Sequence, residues 1–363
     1  MAGKPAKNKE AAFAARLLEW NRKSNKRAMP WKGEKDPYKI WLSEIILQQT
    51  RVEQGLNYYN RFVASFPAVE QLANAQDSSV FKLWEGLGYY SRCKNLLITA
   101  RYIAKEKAGK FPGTYEEIIQ LKGIGAYTAA AISSFAFNLP HAVVDGNVFR
   151  VIARVFGIAE AIDSTEGKKI FTAYANRLLD KKRPGMYNQA IMDFGAVICK
   201  PAAPLCDECV FKKSCVAFQQ NRINELPVKI KKIAVRKRWF NYLILQYKDE
   251  VLIRERVAKD IWQHLFEFCL IETEKQANEQ RIIDIALTRK LLKQNRFSIV
   301  HVSPVLKQLL SHQLIIGRFI QVRLAAKPVK TENYIAVPRE KLPAYPFPKL
   351  INQYLNGAFR EKK

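Results

Sequence analysis

Four of the six cysteines crowd into one short stretch, Cys199-x6-Cys206-x2-Cys209-x5-Cys215. The N-terminus has no apolar signal-peptide core, so a secreted disulfide framework is not expected, and four clustered thiolates then point to metal. Zinc ribbons favour two separated C-x-x-C pairs. One such pair flanked by two longer, unequal gaps fits a four-cysteine iron–sulfur cluster better than zinc, so a [4Fe–4S] cluster is the expected cofactor. Lys212 and Lys213 lie inside the last loop of the motif, where a bound cluster would fix their charge on a rigid edge suited to a phosphate. A second reactive candidate is Glu44, the single acid in the apolar run Trp41–Thr50. Apolar surroundings disfavour the charged form of a carboxyl, raise its pKa and suit it to general-acid work near neutral pH. Taken alone, Glu44 reads at least as well as a half-buried glutamate paired with an arginine.

These groups must be positioned by the elements around them. Residues 114–147 read as helix, glycine-rich turn, helix, loop and then Asp145. Thr114 followed by Glu117 is a capping-box signal. Lys122-Gly123-Ile124-Gly125 breaks the helix, and Ala126–Phe137 resumes it. A helix that restarts at glycines offers free N–H groups and a positive dipole end to an anion, with Lys122 adding charge. This is the pattern of a helix-hairpin-helix grip on a nucleic-acid backbone, although a tight helix–helix turn without ligand has the same local signature. The charge of the chain favours the first reading. Sixty Lys and Arg oppose 33 Asp and Glu, a formal net of +27 at ordinary hydrophobic content, which points to a polyanionic partner. No basic amphipathic helix or lipidation motif supports a membrane surface instead.

The segments SEIILQQT, GLGYYSRCKNL, LKGIGAYTAAAI, VDGNVFRV and NQAIMDFGAVIC, with the four-cysteine loop, appear in that order between about Trp20 and Cys215. Together they resemble the MutY-type adenine DNA glycosylases of the endonuclease III superfamily of helix-hairpin-helix base-excision enzymes. The resemblance implies that Glu44 protonates adenine and later helps activate water. It implies that Asp145 stays ionised to stabilise the sugar cation, with Tyr127 and Asn147 orienting it. Asp145 opens the turn Asp145-Gly146-Asn147 into a helix Val148–Phe156, where free N–H groups and the helix dipole are expected to lower its pKa and part it from Glu44. Lyase members of the superfamily carry a Schiff-base lysine where this chain has Tyr127, and a phenol cannot form an iminium, so a monofunctional enzyme is expected. The flipped adenine is expected between Arg27, Met29 and Trp31 on one side and Gln189 and Asp193 on the other. Gln48 and Gln49 would fill the vacated space in the duplex, and Tyr89 would wedge beside the opposite base. Lys122, Gly123, Gly125, Lys212 and Lys213 complete the expected DNA contacts.

The expected fold is a mostly α N-terminal helix-hairpin-helix glycosylase domain with an iron–sulfur loop, followed by an α+β Nudix-like domain. Residues 1–10 read as a disordered basic tail, 11–221 as the helical domain, 222–238 as a basic linker and 356–363 as a tail. Helical periodicity marks Ala11–Trp20, Val52–Phe66 and Gly167–Leu179. Between 239 and 355 the pattern alternates as short strands do, at 239–246, 251–254, 264–271, 315–324 and 334–337. Trp262–Phe268 is similar to the family's Nudix-like domain. The acidic Nudix helix is absent from Arg281–Lys293, which argues against a second hydrolase. The resemblance makes Leu310, Ser311 and His312 an 8-oxoguanine reader, with Leu310 where the family often has phenylalanine.

The resulting expectation is adenine excision opposite 8-oxoguanine or guanine in double-stranded DNA, by a monomer without membrane association, in a bacterial cytoplasm at the nucleoid. The rivals are an iron–sulfur glycosylase of other mismatch specificity and a lesion-binding protein without chemistry.

Overall fold

The computed structural model describes residues 4–230, 234–326 and 333–360. Contacts divide the chain into two units, Met1–Asn74 with Asn95–Lys231, and Ala75–Lys94 with Lys232–Lys363. This departs from the expected boundary at 221, because Ala75–Lys94 makes its tertiary contacts with C-terminal residues. Lys82 donates to the Tyr345 carbonyl, Phe347 N–H donates to Glu85, and Phe81 lies against His264. The centre of the expected linker, residues 231–233, lies outside the described residues.

The first unit is helical. Its first helix, Lys4–Lys23, starts inside the segment read as a disordered tail, since Lys, Ala and Glu all favour helix. Its apolar residues Phe13, Leu17 and Trp20 join Val151 and Ile152 of the helix Gly146–Phe156, Phe171 and Phe194 in one core. Phe211, from within the cysteine motif, stacks on Phe13 at 4.5 Å and so anchors the cysteine loop to that core. The expected helices at 52–66 and 167–179 are Val52–Ser65 and Thr165–Leu178.

The hairpin forms as the residue types require. Thr114 caps Tyr115–Ile118 by accepting from Glu117 N–H, and the Glu117 carboxylate accepts from the Thr114 hydroxyl rather than from its backbone. Gly123 adopts φ +82°, and a Cβ there would stand 2.6 Å from Asn95 Cβ, so both conformation and space require glycine. Gly125 is the N-cap of Ala126–Phe137, which is buried from Thr128 to Ser134. That helix packs on Pro37–Leu47, which carries Glu44, and on Pro184–Val197, which carries Gln189.

The second unit contains an eight-stranded sheet. Its central strand Arg236–Tyr247 runs parallel to Gln313–Leu324 and antiparallel to Glu250–Glu255 and Cys269–Thr273. Side chains alternate faces along a strand. Leu243 and Leu245 pack with Ile282, Ile283 and Ala286 of the helix Glu279–Thr288. From the same central strand Tyr242 stacks on Phe319, which stacks on Tyr354 of the helix Lys349–Arg360. This last helix runs on to Arg360, inside the segment 356–363 read as a C-terminal tail, whose last three residues lie outside the described residues. Two strands absent from the sequence reading, Phe297–Val302 and Leu306–Leu309, pair with Gln313–Leu324. The first exposes its central residues on both faces and the second has four residues, so neither carries the alternation of a half-buried strand.

Candidate active site

A cavity of about 730 Å³ opens in the first unit between the helices that carry Glu44, Tyr127, Asp145 and Gln189. Glu44 is 8% exposed among Trp41, Leu42, Ile45 and Ile46. Burial, with the charge of Asp145 adding to it and the Tyr127 hydroxyl opposing, raises its pKa to about 7. The carboxyl therefore holds its proton to near neutrality and can pass it to a basic atom in the cavity.

Asp145 caps the helix Gly146–Phe156 and accepts from Val148 N–H at 2.8 Å and from Asn147 Nδ2 at 2.7 Å. These donors and Arg150 do favour the anion, as expected. Burial outweighs them, however, and the net shift of Asp145 is upward, contrary to the expected lowering. The two acids differ instead in their support. Asp145 has charge-favouring donors from the helix start and from Asn147, whereas Glu44 has the single opposing hydroxyl of Tyr127.

Sequence reasoning missed Arg150. It donates to Asn147 Oδ1 at 2.8 Å, to the Gly195 carbonyl at 2.8 Å and to the Cys199 carbonyl at 2.6 Å. It thereby holds Asn147 while Asn147 holds Asp145. Its signal was the i, i+3 spacing from Asn147 on one helix. Gly195 permits this packing, because a Cβ there would lie 2.6 Å from Asn147 Cβ.

The residues expected to grip the base fall in two layers. Arg27, Met29, Trp31 and Gln189 line the cavity. Asp193 is fully buried and does not line it; it lies behind the wall and accepts from Arg27 and Gln189. Lys32 and Asn25, both unforeseen, donate to the same carboxylate. Gln48 and Gln49 follow the Glu44 helix at the cavity edge, and Gln49 takes a left-handed φ of 55°. At the hairpin, Lys122 is exposed, Gly125 leaves the helix start without a side-chain cap, and a Cβ on it would meet nothing within 4 Å. Such a helix start has free N–H groups and room for an anion.

Cys199, Cys206, Cys209 and Cys215 converge on one small cavity with Arg154. Burial first, then the neighbouring thiolates, pushes Cys209 up to about 12. Cys206 and Cys215 are raised as well, by burial first, and thiols so placed are a donor set that needs a cationic group to be charged. Phe211 N–H donates to Cys209 Sγ and Arg154 to Cys199 Sγ, as suits sulfurs carrying negative charge. Among the described residues no three Cys, His, Asp or Glu side chains come close enough to chelate a single ion. A four-iron cubane spaces its ligands more widely than one ion does. Lys212 pairs with Asp207 at 2.7 Å, and Lys213 is exposed.

The second unit holds a cavity of about 470 Å³ lined by Tyr89, Trp262, His264, Leu310, Ser311 and His312. The Tyr89 and Ser311 hydroxyls are in hydrogen-bond contact across it. Tyr89 is 40% exposed at φ +48°, a backbone state unlike that of a core aromatic. The guanidinium of Arg92 sits between the Tyr89 and Trp84 rings, at 5.5 and 5.2 Å from their centres, and donates to the Gly88 carbonyl. The loop bearing Trp262 and His264 is tied by Asp260 to both Arg238 and Arg256.

Comparison with known proteins matches residues 42–176 to the HhH-GPD superfamily of base excision DNA repair proteins and residues 241–357 to a NUDIX domain. An adenine DNA glycosylase of Buchnera aphidicola subsp. Baizongia pistaciae is 38% identical over 259 residues, covering 70% of this chain and 73% of that protein. One from Buchnera aphidicola subsp. Acyrthosiphon pisum is 33% identical over 305 residues, covering 82% and 87%. Among solved structures, a thermostable thymine-DNA glycosylase aligns with TM-score 0.55 and 29% identity, over 59% of this chain and 99% of its own. No helix among the described residues is long and apolar enough to cross a membrane.

Proposed function

The chain belongs to the adenine DNA glycosylase family of the HhH-GPD base excision repair superfamily, and from that membership we propose that it removes adenine opposite 8-oxoguanine or guanine as a monofunctional hydrolase. Adenine excision by N-glycosidic hydrolysis in DNA is its activity, and DNA is its partner. The observation that carries the mechanism is the pairing of a proton-holding carboxyl, Glu44, with a donor-braced carboxylate, Asp145, at one cavity with ample room for a flipped base.

Breaking a glycosidic bond to adenine requires a protonated leaving base and a stabilised oxocarbenium-like sugar. Glu44 supplies the proton to the base. Asp145, held by Val148 N–H and Asn147, faces the developing positive charge. Glu44, now ionised, then accepts the proton of the attacking water. Tyr127 supports the use of water rather than an enzyme amine, because it cannot form an iminium. Arg27, Met29, Trp31 and Gln189 enclose the base, while Gln48 and Gln49 occupy the gap it leaves. The hairpin N–H groups at Gly123 and Gly125, with Lys122, hold a backbone phosphate, and Lys212 and Lys213 hold another. Cys199, Cys206, Cys209 and Cys215 would hold a [4Fe–4S] cluster, whose contribution is to fix the loop that carries these lysines.

The pH dependence follows from Glu44. Its protonated form is the active one, so the single-turnover rate should fall tenfold per pH unit above about 7. It should fall again in acid, where Asp145, itself shifted upward by burial, takes up a proton and loses the charge that faces the sugar cation. A rate that rises or stays level to pH 9 excludes Glu44 as the acid.

The second cavity supports recognition of the opposite base. Tyr89 stacks against it, and Ser311 hydrogen-bonds to the groups that distinguish 8-oxoguanine from guanine, with His312 on a nearby phosphate. Ser311→Ala is expected to lower the 8-oxoguanine-over-guanine rate ratio roughly tenfold, the worth of one good base contact, while the G·A rate holds. The reading as a whole is tested by single-turnover rates on 8-oxoguanine·A, G·A and 8-oxoguanine·C duplexes. Fastest excision from the first, slower from the second and none from the third is expected. Equal rates on the first two remove 8-oxoguanine from the account.

A further inference from the structure

Asp193 has no exposed side-chain surface, yet four side chains donate to it. Oδ1 accepts from Arg27 Nη1 at 2.9 Å and Gln189 Nε2 at 3.0 Å. Oδ2 accepts from Asn25 Nδ2 at 2.8 Å and Lys32 Nζ at 3.0 Å. Each oxygen thus has two donors, and no position is left for a proton of its own. Two of those donors are cations, which compensate a buried anion. Arg27, Lys32 and Gln189 line the cavity that holds Glu44, whereas Asp193 does not. Asp193 therefore acts on whatever occupies the cavity only through these three neighbours.

Its strongest consequence is for Gln189. A glutamine amide has a donating and an accepting end of nearly the same shape, and its surroundings decide which end faces a ligand. A carboxylate saturated with donors can only accept. It must therefore take the NH2 end of Gln189, which leaves Oε1 for the cavity. We propose that Asp193 is a positioning residue that fixes the Gln189 amide oxygen toward the flipped base, so that the pocket selects a 6-aminopurine against a 6-oxopurine. The proposal rests on the reading of Gln189 as a base contact. Adenine presents an N6 amine that donates to an acceptor. Hypoxanthine presents an oxygen at the same position, and two acceptors would then face each other without a proton. A site built to bond a substrate N–H rejects the analogue lacking it, because its own buried group is left unpaired.

The test is the ratio of single-turnover excision rates for adenine and hypoxanthine opposite 8-oxoguanine. Asp193→Asn replaces an obligate acceptor with a side chain that can also donate, which frees the Gln189 amide to turn over. The ratio is expected to fall roughly tenfold or more. Gln189→Met should lower it similarly, and Asp193→Asn should then have no further effect on the ratio in the Gln189→Met background. Asp193→Glu, which keeps the carboxylate, should restore much of the preference. A purely structural role for Asp193 would slow both bases alike and leave the ratio unchanged, which overturns the proposal. If Gln189→Met itself leaves the ratio intact, the reading of Gln189 fails instead. Gln189→Glu gives an answer even where Asp193→Asn does not fold. Its carboxyl lies against Asp193, and two carboxyls at that distance share one proton, which bridges them as the amide NH2 does. The other oxygen of residue 189 is left to accept from the base, so the preference for adenine should survive despite slower turnover. Reversal of the preference in that variant would mean that Gln189 faces the base with its NH2 group, and the proposal falls.

Discussion

Glu44→Gln is expected to slow adenine excision by roughly 10²–10⁴-fold, the usual worth of a positioned general acid, while mismatched duplex still binds. The substitution preserves shape in a site where Glu44 is 8% exposed, so packing against Trp41, Ile45 and Ile46 is retained. It removes the proton that burial keeps on the carboxyl to about pH 7. An amide can neither protonate the leaving base nor accept a proton from water, so both steps fail together. The loss should appear in the single-turnover rate and not in a mobility-shift titration. A variant that excises at the wild-type rate would assign the acid to another residue.

Asp145→Asn is expected to cost roughly 10²–10³-fold, comparable with removing one preorganised electrostatic contact to a charged transition state. Asparagine can still accept from Val148 N–H, so the cap of Gly146–Phe156 survives. It cannot supply the charge opposite the sugar cation. Its NH2 group can also meet Asn147 Nδ2, which now donates to Asp145 at 2.7 Å, and two donors cannot pair. Thermal unfolding read beside the rate separates the two effects. An unchanged midpoint with a large rate loss assigns Asp145 to the chemistry, whereas a proportionate fall in both makes it a cap.

Much of this site was legible because its parts are local. A lone acid in an apolar run, glycines between two helices and four spaced cysteines each announce their chemistry within a few residues. What was not legible depends on partners far apart in the chain. Asp193 reads as an ordinary pocket acid until Asn25, Arg27 and Lys32 close on it from 161 to 168 positions away. Tyr89 and Ser311 are separated by 222 positions. The direction of the Asp145 shift was misjudged for the same reason. The N–H groups that lower its pKa are adjacent in sequence, but the burial that outweighs them comes from the packed fold. At the level of the fold, the helical periodicity and the long strands were read from pattern. The helix from Lys4 and the grouping of Ala75–Lys94 with the C-terminal unit were not, since helix propensity and contacts such as Lys82 with Tyr345 decide them.

The most direct test follows both products of one turnover on an 8-oxoguanine·A duplex, the released base by mass spectrometry and the strand by electrophoresis with and without alkali. Free adenine in equal amount to an abasic strand that breaks only after alkali is the predicted result. A strand that breaks without alkali, or a bound duplex that releases no adenine, would contradict hydrolysis by Glu44 and Asp145.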